Sequence, residues 1–395
     1  MSEGPPDIGA RRSPLQFRDP ERGRALLDAL ARWTDDRLDD PVSIMHVCGS
    51  HEQAIAKFGL RSVLPRGLRI ITGPGCPVCV TDAPEIDEAV AIAESGVEVL
   101  TYGDMLRVPG SCGSLDEARA RGGQVSVVYS VVQAVQRAAK QPGRPVVFFA
   151  TGFETTAVAT AAVLLGDPPS NFSVLSAHKY IPPVMEIVAE MPETRVEGFL
   201  AAGHAASITG YGIFEPFVER HRLPVAIGGF EPLDLLAGFA KLVERIRTGE
   251  PRVDNCFPRM VTRDGNRRAQ SQLWAVFEPS GGVWRGITRV PNGNLRLRDR
   301  FAAFDARRRF AREIADGIAR RHAPDGVALQ SDECRCGDIM AGIATPGDCS
   351  LYDSPCTPAT PIGACMVSAE GTCRIWHEYG GHAVPPSQAV SGTGT

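Results

Sequence analysis

PVVFFATGFETT, residues 145–156, is an unbroken apolar run that stops at Thr151-Gly152 and gives way to a helix-like pattern. A strand wet on one face alternates polar and apolar residues. Val146 to Ala150 do not alternate, which suits a strand covered on both faces, as in parallel sheets flanked by helices. Gly152 supplies the sharp turn, and the threonines suit a helix start. The stretch reads as one strand-to-helix unit.

The same unit recurs outward in both directions. Apolar runs stand at 42–47, 68–72, 97–101, 124–129, 172–177, 196–202 and 224–229, each followed by a turn and a helical pattern. Spacings of this kind describe an α/β chain with parallel sheets, and domain size favours two domains of about four strands each over one large sheet. The chemically unusual residues follow the runs: CGSHE, GPGCPVC, YGDMLRVPGSCGS, TGFETT, HK, GH and GFEP. In open α/β sheets the loops at the carboxyl ends of strands converge on a ligand crevice. A shared site between two domains is therefore expected. Farther on, LWAVFEPSGGVWRGI predicts a hairpin around Pro279–Gly282. LRDRFAAFDARRRFAREIADGIARR predicts a long helix with Phe310, Ile314 and Ile318 on one face.

Composition narrows the function. Hydrophobic residues at 43%, charged residues at 22% and a net charge of -4 describe an ordinary globular chain, with no electrostatic reason for nucleic acid or a membrane surface. Glycines and His204 interrupt the longest uncharged stretch, 198–214, so no membrane span is expected. The N-terminus lacks an apolar signal core, and a cytoplasmic location is expected. In that compartment eleven cysteines read as metal ligands or redox groups rather than structural disulfides.

Cys76 and Cys79 flank Pro77-Val78 in a Gly- and Pro-rich loop, and Asp82 is a natural N-cap for a helix after it. Alone, the pair suits zinc, a cluster, a redox couple or a stiff turn. Cys48, His51 and Glu52 put thiolate, imidazole and carboxylate within five residues, either as a metal site or activated thiol or as a helix-start ion pair. Gly152 with the hydroxyls of Thr151, Thr155 and Thr156 reads as an anion-binding turn or simply a well-capped helix, and Thr151, Glu154 and Thr155 count among the crevice candidates. His178, Lys179 and His204 are crevice candidates by loop position. Cys112 and Cys256 have no partner in sequence and read as structural or incidental. Six cysteines fall between residues 334 and 373 among glycines and prolines, a segment that a metal centre would order. Their wide, uneven gaps favour a four-iron cluster over tetrahedral zinc.

CGSHE, GPGCPVCV, TGFETT, SAHK, GFEPLDLL and the C-terminal CRCG…DC…CTP…CMVS.EG.C together resemble the hydrogenase maturation HypD family, over roughly residues 25 to 380. Ser50 stands where that family typically has Thr, which keeps the hydroxyl. The resemblance implies a scaffold for assembling the Fe(CN)2CO centre of [NiFe]-hydrogenase, working with a HypC-type chaperone and a HypE-type cyanide donor. It implies Cys48 as the thiolate holding iron with His51 and Glu52 beside it, and Cys76 and Cys79 as a thiol–disulfide pair. It also implies a [4Fe–4S] cluster on Cys334, Cys349, Cys356 and Cys373, leaving out Cys336 and Cys365. The expected fold is two similar parallel-sheet α/β domains with a third, α-rich C-terminal domain carrying the cluster. The expected division is an arm and helix at 1–40, a first domain at 41–123 possibly rejoined by 224–248, a second at 124–223, a cluster domain at 249–380 and a disordered tail at 381–395. Two other functions remain open: a stand-alone iron–sulfur thiol–disulfide oxidoreductase, and a zinc-stabilised α/β binding module.

Overall fold

Five of the eight continuous apolar runs form strands buried along their whole length. In a computed structural model that describes residues 17–111, 113–321 and 333–380, the strands are β1 (Val42–His46), β2 (Leu68–Thr72), β3 (Glu98–Thr101), β4 (Val125–Val127), β5 (Val146–Gly152), β6 (Phe172–His178), β7 (Gly198–Ala202), β8 (Val225–Gly228), β9 (Val253–Asn255), β10 (Phe277–Trp284) and β11 (Thr288–Leu297). Every residue of β1, β5, β6, β7 and β8 is buried. Two parallel sheets result, ordered β2-β1-β7-β8-β9 and β4-β3-β5-β6, with β10 and β11 as a separate antiparallel ribbon. No helix among the described residues is long and apolar enough to cross a membrane.

Strand allocation corrects the division expected from chain order. β3, expected in the first unit, pairs with β4 and β5 in the second sheet. β7, expected in the second unit, pairs with β1 and β8 in the first. The chain lays down β1 and β2, builds the whole second sheet, then returns at β7. Apolar runs alone carry no pairing information, because any buried parallel strand can neighbour any other. β9 also joins the first sheet, so residues 253–255 do not belong with the C-terminal segment. Its sequence, Val-Asp-Asn, has no apolar run to reveal it.

Two other expectations shift. Pro279–Gly282 lies inside β10, and the chain reverses at Arg285–Ile287 instead. The long helix breaks at Phe301, whose backbone is not helical, and restarts after Asp305, whose side chain accepts the Arg307 N–H. Phe310 lies between the helices Ala306–Arg309 and Ala311–Arg321, yet it is buried. Cys112, the first sixteen residues and the tail from 381 lie outside the described residues.

Strand order fixes the crevice. β1 is flanked by β2 on one side and β7 on the other, so consecutive crossovers run in opposite directions from it. The second sheet has the same reversal between β3 and β5. Ligands bind at such switch points, beyond the carboxyl ends of the strands. Cys48 follows β1, and His204 follows β7.

The C-terminal segment completes the molecule by packing onto both sheets. One contiguous apolar core holds Met45 and Ile71 from the first sheet and Val147 and Phe149 from the second. It also holds Trp284 of the ribbon and Cys336, Cys349, Cys356, Cys365 and Cys373. Asp104, after β3, accepts hydrogen bonds from the Ser368 hydroxyl and the Ala369 N–H, both at 3.1 Å.

Candidate functional site

Cys48 is the N-cap of the helix Gly49–Lys57, and its thiol is buried with Ala202, Ala205 and Phe230. Burial, then the nearby Glu370 carboxylate, push the thiol up to about 12, against N–H groups of His51 and Ser50 that favour the thiolate. The disulfide loop lies directly against this helix start. A Cβ on Gly75 would stand 2.0 Å from the Cys48 nitrogen, so only glycine permits the approach. The Gly49 N–H donates to the Gly75 carbonyl at 3.0 Å.

Cys76 and Cys79 are joined by a disulfide in the loop ahead of the helix Ala83–Glu94. That helix starts with the expected Asp82 cap, strengthened by Glu85 reaching back to the Asp82 N–H. Cys48 and the disulfide face different ways. Cys48 turns toward Phe230, whereas Cys76 and Cys79 join the core that holds the C-terminal cysteines. Cys79 Sγ is 3.9 Å from the Ala364 carbonyl, one residue from Cys365.

His51 donates from Nε2 to the Gly228 carbonyl at 3.3 Å, and its Nδ1 is buried without a partner. Burial, with His46 and His204 nearby, lowers its pKa to about 3, so the ring is neutral. His204 also packs against Phe230, with ring centroids 5.2 Å apart against 5.1 Å for His51 and Phe230. Its Nδ1 is also buried and unpartnered. Two neutral imidazoles thus share one aromatic wall beside Cys48.

Glu52, expected beside the thiolate, is spent elsewhere. Arg61 grips both its oxygens at 2.7 Å, and His46, Thr72 and Trp376 also donate to it. Burial would raise this carboxyl, but Arg61 and His46 more than reverse that and hold it well below the usual range. Its contacts make it a structural anchor. The carboxylate near Cys48 is Glu370, which accepts the Ser50 hydroxyl at 3.3 Å and packs so closely that a Cβ on Gly49 would be 2.5 Å from its carbonyl oxygen. Sequence reading missed Glu370 and Phe230. The first sits inside the cysteine segment and the second inside GFEP, and only folding brings either to residue 48.

The remaining candidates gather around the ribbon. Glu154 begins the helix Glu154–Leu165, where Oε1 accepts the Ile181 N–H at 2.9 Å and Oε2 has no partner. Thr151 is buried at the end of β5, and Thr155 is half-buried in the first turn after it. His178 pairs with the Thr160 hydroxyl at 3.0 Å and lies edge-on to Phe277. Lys179, fully buried, donates to Glu85 at 2.7 Å. Of the crevice candidates, His204 alone makes its contacts beside Cys48.

The C-terminal cysteines come together from separate loops. Cys336 touches both Cys334 and Cys365, and Cys365 touches Cys373. Backbone N–H groups of Ile362 and Cys365 donate to the sulfurs of Cys356 and Cys336 at 3.3 and 3.4 Å. A Cβ on Gly363 would be 2.8 Å from the Cys334 sulfur. Among the described residues no three His, Cys, Asp or Glu side chains are arranged to hold a single ion. The donor set is all sulfur with amide donors aimed at it, and this chemistry fits an iron–sulfur centre. Cys256, far from this group in the chain, is a half-buried thiol beside the Ala237 carbonyl.

The family model described as the hydrogenase formation hypA family, HypD, matches residues 22–380. The hydrogenase maturation factor HypD of Azotobacter vinelandii is 40% identical over 378 residues, covering 92% of this chain and 96% of that protein. A putative hydrogenase expression/formation protein of Methanocaldococcus jannaschii is 41% identical over 343 residues, covering 86% of this chain and 92% of that one. The hydrogenase maturation factor HypD of Rhizobium leguminosarum bv. viciae is 39% identical over 381 residues, covering 93% and 96%. A match over nearly the whole chain, with sequence identity sustained at this level, establishes kinship: the chain belongs to the HypD family of hydrogenase formation proteins.

Proposed function

We propose that the chain acts in hydrogenase maturation as a redox-active scaffold on which an iron centre carrying cyanide and carbon monoxide is assembled. Cys48 holds the iron cargo, Cys76 and Cys79 cycle between disulfide and dithiol, and Cys334, Cys349, Cys356 and Cys373 hold a resident [4Fe–4S] cluster. The observation that carries this reading is the seat of Gly75 on Cys48 together with Cys79 beside Ala364. One loop thereby links the lone thiol at the switch point to the C-terminal cysteines.

The chain's own residues account for much of the chemistry. Reducing the disulfide takes two electrons and two protons and leaves two thiols. Iron binding at Cys48 must displace a thiol proton that burial holds tightly, so loading is favoured at higher pH. Ser50 and His51 N–H groups stabilise the thiolate once formed. His51 and His204, both neutral, and Phe230 wall the site without adding charge. When bound, the cluster would supply one-electron transfer next to the disulfide loop. Because Cys48 is a single thiol rather than part of a closed ligand set among the described residues, a partner can supply further ligands to the cargo. A HypC-type chaperone and a HypE-type cyanide donor fill these roles in the proposal.

Anaerobic copurification with the chaperone tests it. The wild-type complex is expected to show infrared bands of iron-bound cyanide, and Cys48→Ala to lose them while keeping iron and acid-labile sulfide. Retention of the bands in Cys48→Ala removes Cys48 from the role. Zinc in place of iron and sulfide removes the cluster.

A further inference from the structure

Arg285, at the reversal between β10 and β11, is a buried guanidinium with an incomplete set of partners. It is 7% exposed. Its backbone N–H donates to the Val80 carbonyl at 3.0 Å, Nε to the Thr81 carbonyl at 2.8 Å and Nη2 to the Pro109 carbonyl at 2.6 Å. Nη1 has no partner. Among the described residues Arg285 makes no ion pair. The carboxylates nearest in effect are already used, Asp82 by the Ala83 N–H and Asp87 by the Ser111 N–H.

Neutral carbonyls satisfy donors but do not cancel charge, and buried charges are normally paired. What Arg285 faces instead is sulfur. It lines a cavity of about 360 Å³ together with Asp82, Gly286, Cys334, Cys336 and Gly363. Two of its hydrogen bonds hold Val80 and Thr81, the residues that immediately follow Cys79.

We infer that Arg285 is a positioning residue for the Cys76–Cys79 couple, fixing the segment after Cys79 and keeping a buried positive charge between the disulfide and the C-terminal cysteines. This rests on the redox reading of the pair. Reduction breaks the S–S bond and delivers two electrons to the sulfurs; with two protons from solvent it leaves two neutral thiols, and with one it leaves a thiol and a thiolate. A fixed positive charge favours the reduced pair through the thiolate form, which carries a negative charge that the neutral disulfide lacks.

The test uses the full chain, purified anaerobically and equilibrated in glutathione and dithiothreitol redox buffers. Thiols are then alkylated, and the Cys76–Cys79 peptide is quantified by mass spectrometry. Arg285→Gln is expected to move the equilibrium about tenfold toward the disulfide, about 30 mV more negative for this two-electron couple. Arg285→Lys keeps the charge and is expected to recover most of that shift. Asp82→Asn retains a capping oxygen but removes a negative charge, and is expected to shift the equilibrium the opposite way. These two variants decide the matter even if Arg285→Gln does not fold. Equilibria superimposed on wild type, or Arg285→Lys displaced as far as Arg285→Gln, overturn the inference. A wild-type pair that exchanges in none of the buffers overturns the redox reading and this inference with it. A cycling wild type with unmoved variants overturns the role of Arg285 alone.

Discussion

Trp376 donates its indole N–H to Oε1 of Glu52 at 2.7 Å, tying the helix Thr372–Tyr379 to the helix that begins after Cys48. The same carboxylate receives Arg61, His46 and Thr72, so one buried charge fastens three parts of the chain. Glu52→Gln is expected to cost about 3–5 kcal/mol, since it leaves Arg61 facing a neutral amide. Trp376→Phe, which removes one hydrogen bond to a charged group, should cost about 1.5–3 kcal/mol. Chemical denaturation at pH 7 measures both. The folded-state carboxyl lies below its ordinary value of 4.5, so its contribution is present above that pH. It is lost as pH falls through the depressed folded value, and Glu52→Gln should show a shallower acid transition than wild type.

Gly75→Ala tests the contact that brings the disulfide loop to Cys48. The added carbon would lie 2.0 Å from the Cys48 nitrogen and 2.3 Å from its Cα, both backbone atoms that cannot swing aside. The loop must move or the helix start must, at a cost of about 3 kcal/mol or more. Thermal unfolding should register that loss. A variant as stable as wild type would show that the loop does not sit where the disulfide and Cys48 are neighbours. Gly96→Ala, where no atom lies within 4 Å, is a steric control, although its positive φ carries a backbone cost of its own.

Strand existence is legible because burial on both faces leaves an unbroken apolar run, as at Val146–Ala150. Strand partners are not, since pairing between parallel strands is set by crossovers that no single run records. That is why chain order alone puts β3 and β7 in the wrong sheets. Cys48, Cys76 and Cys79 stand out as unusual residues at strand ends, and Asp82 as a cap. Glu52 misleads because adjacency in sequence to His51 says nothing about which way a helical side chain turns. Residues 51 and 52 are about 100° apart around the helix, so one faces Phe230 while the other meets Arg61 and Trp376. Glu370 and Arg285 reach the site from far along the chain, and only the packing of the C-terminal segment and the ribbon shows them.

Glu154 is buried with one oxygen unpartnered, and burial raises its carboxyl to about 7. Its folded value thus exceeds its ordinary 4.5. The neutral acid is the form the fold prefers. Its contribution is complete below about pH 4.5 and is lost as pH rises through 7. Glu154→Gln keeps an acceptor for the Ile181 N–H without the charge. It should exceed wild type in stability at pH 8 by up to about 3 kcal/mol, a gap that closes below pH 4.5. Urea denaturation at both pH values checks the sign. Equal stability at pH 8 would mean that the carboxylate is solvated there after all.

Lys179 and Glu85 form a buried ion pair that joins the end of β6 to the helix after the disulfide loop. Glu85 also accepts the Asp82 N–H and, at 3.4 Å, the Asn294 amide of the ribbon. Lys179→Met removes one charge and leaves Glu85 only its longer ion pair with Arg307, at 4.0 Å, which should cost about 3 kcal/mol. The double variant Lys179→Met with Glu85→Gln removes both charges of the pair, and the new amide oxygen can still accept the Asp82 N–H. It should therefore recover a large part of that loss, so a double-mutant cycle by urea denaturation is expected to show strong coupling. If the two losses simply add, the pair is not shielded from water as its burial indicates. The second sheet would then be fastened to the disulfide loop mainly by the apolar core around Phe149 and Trp284.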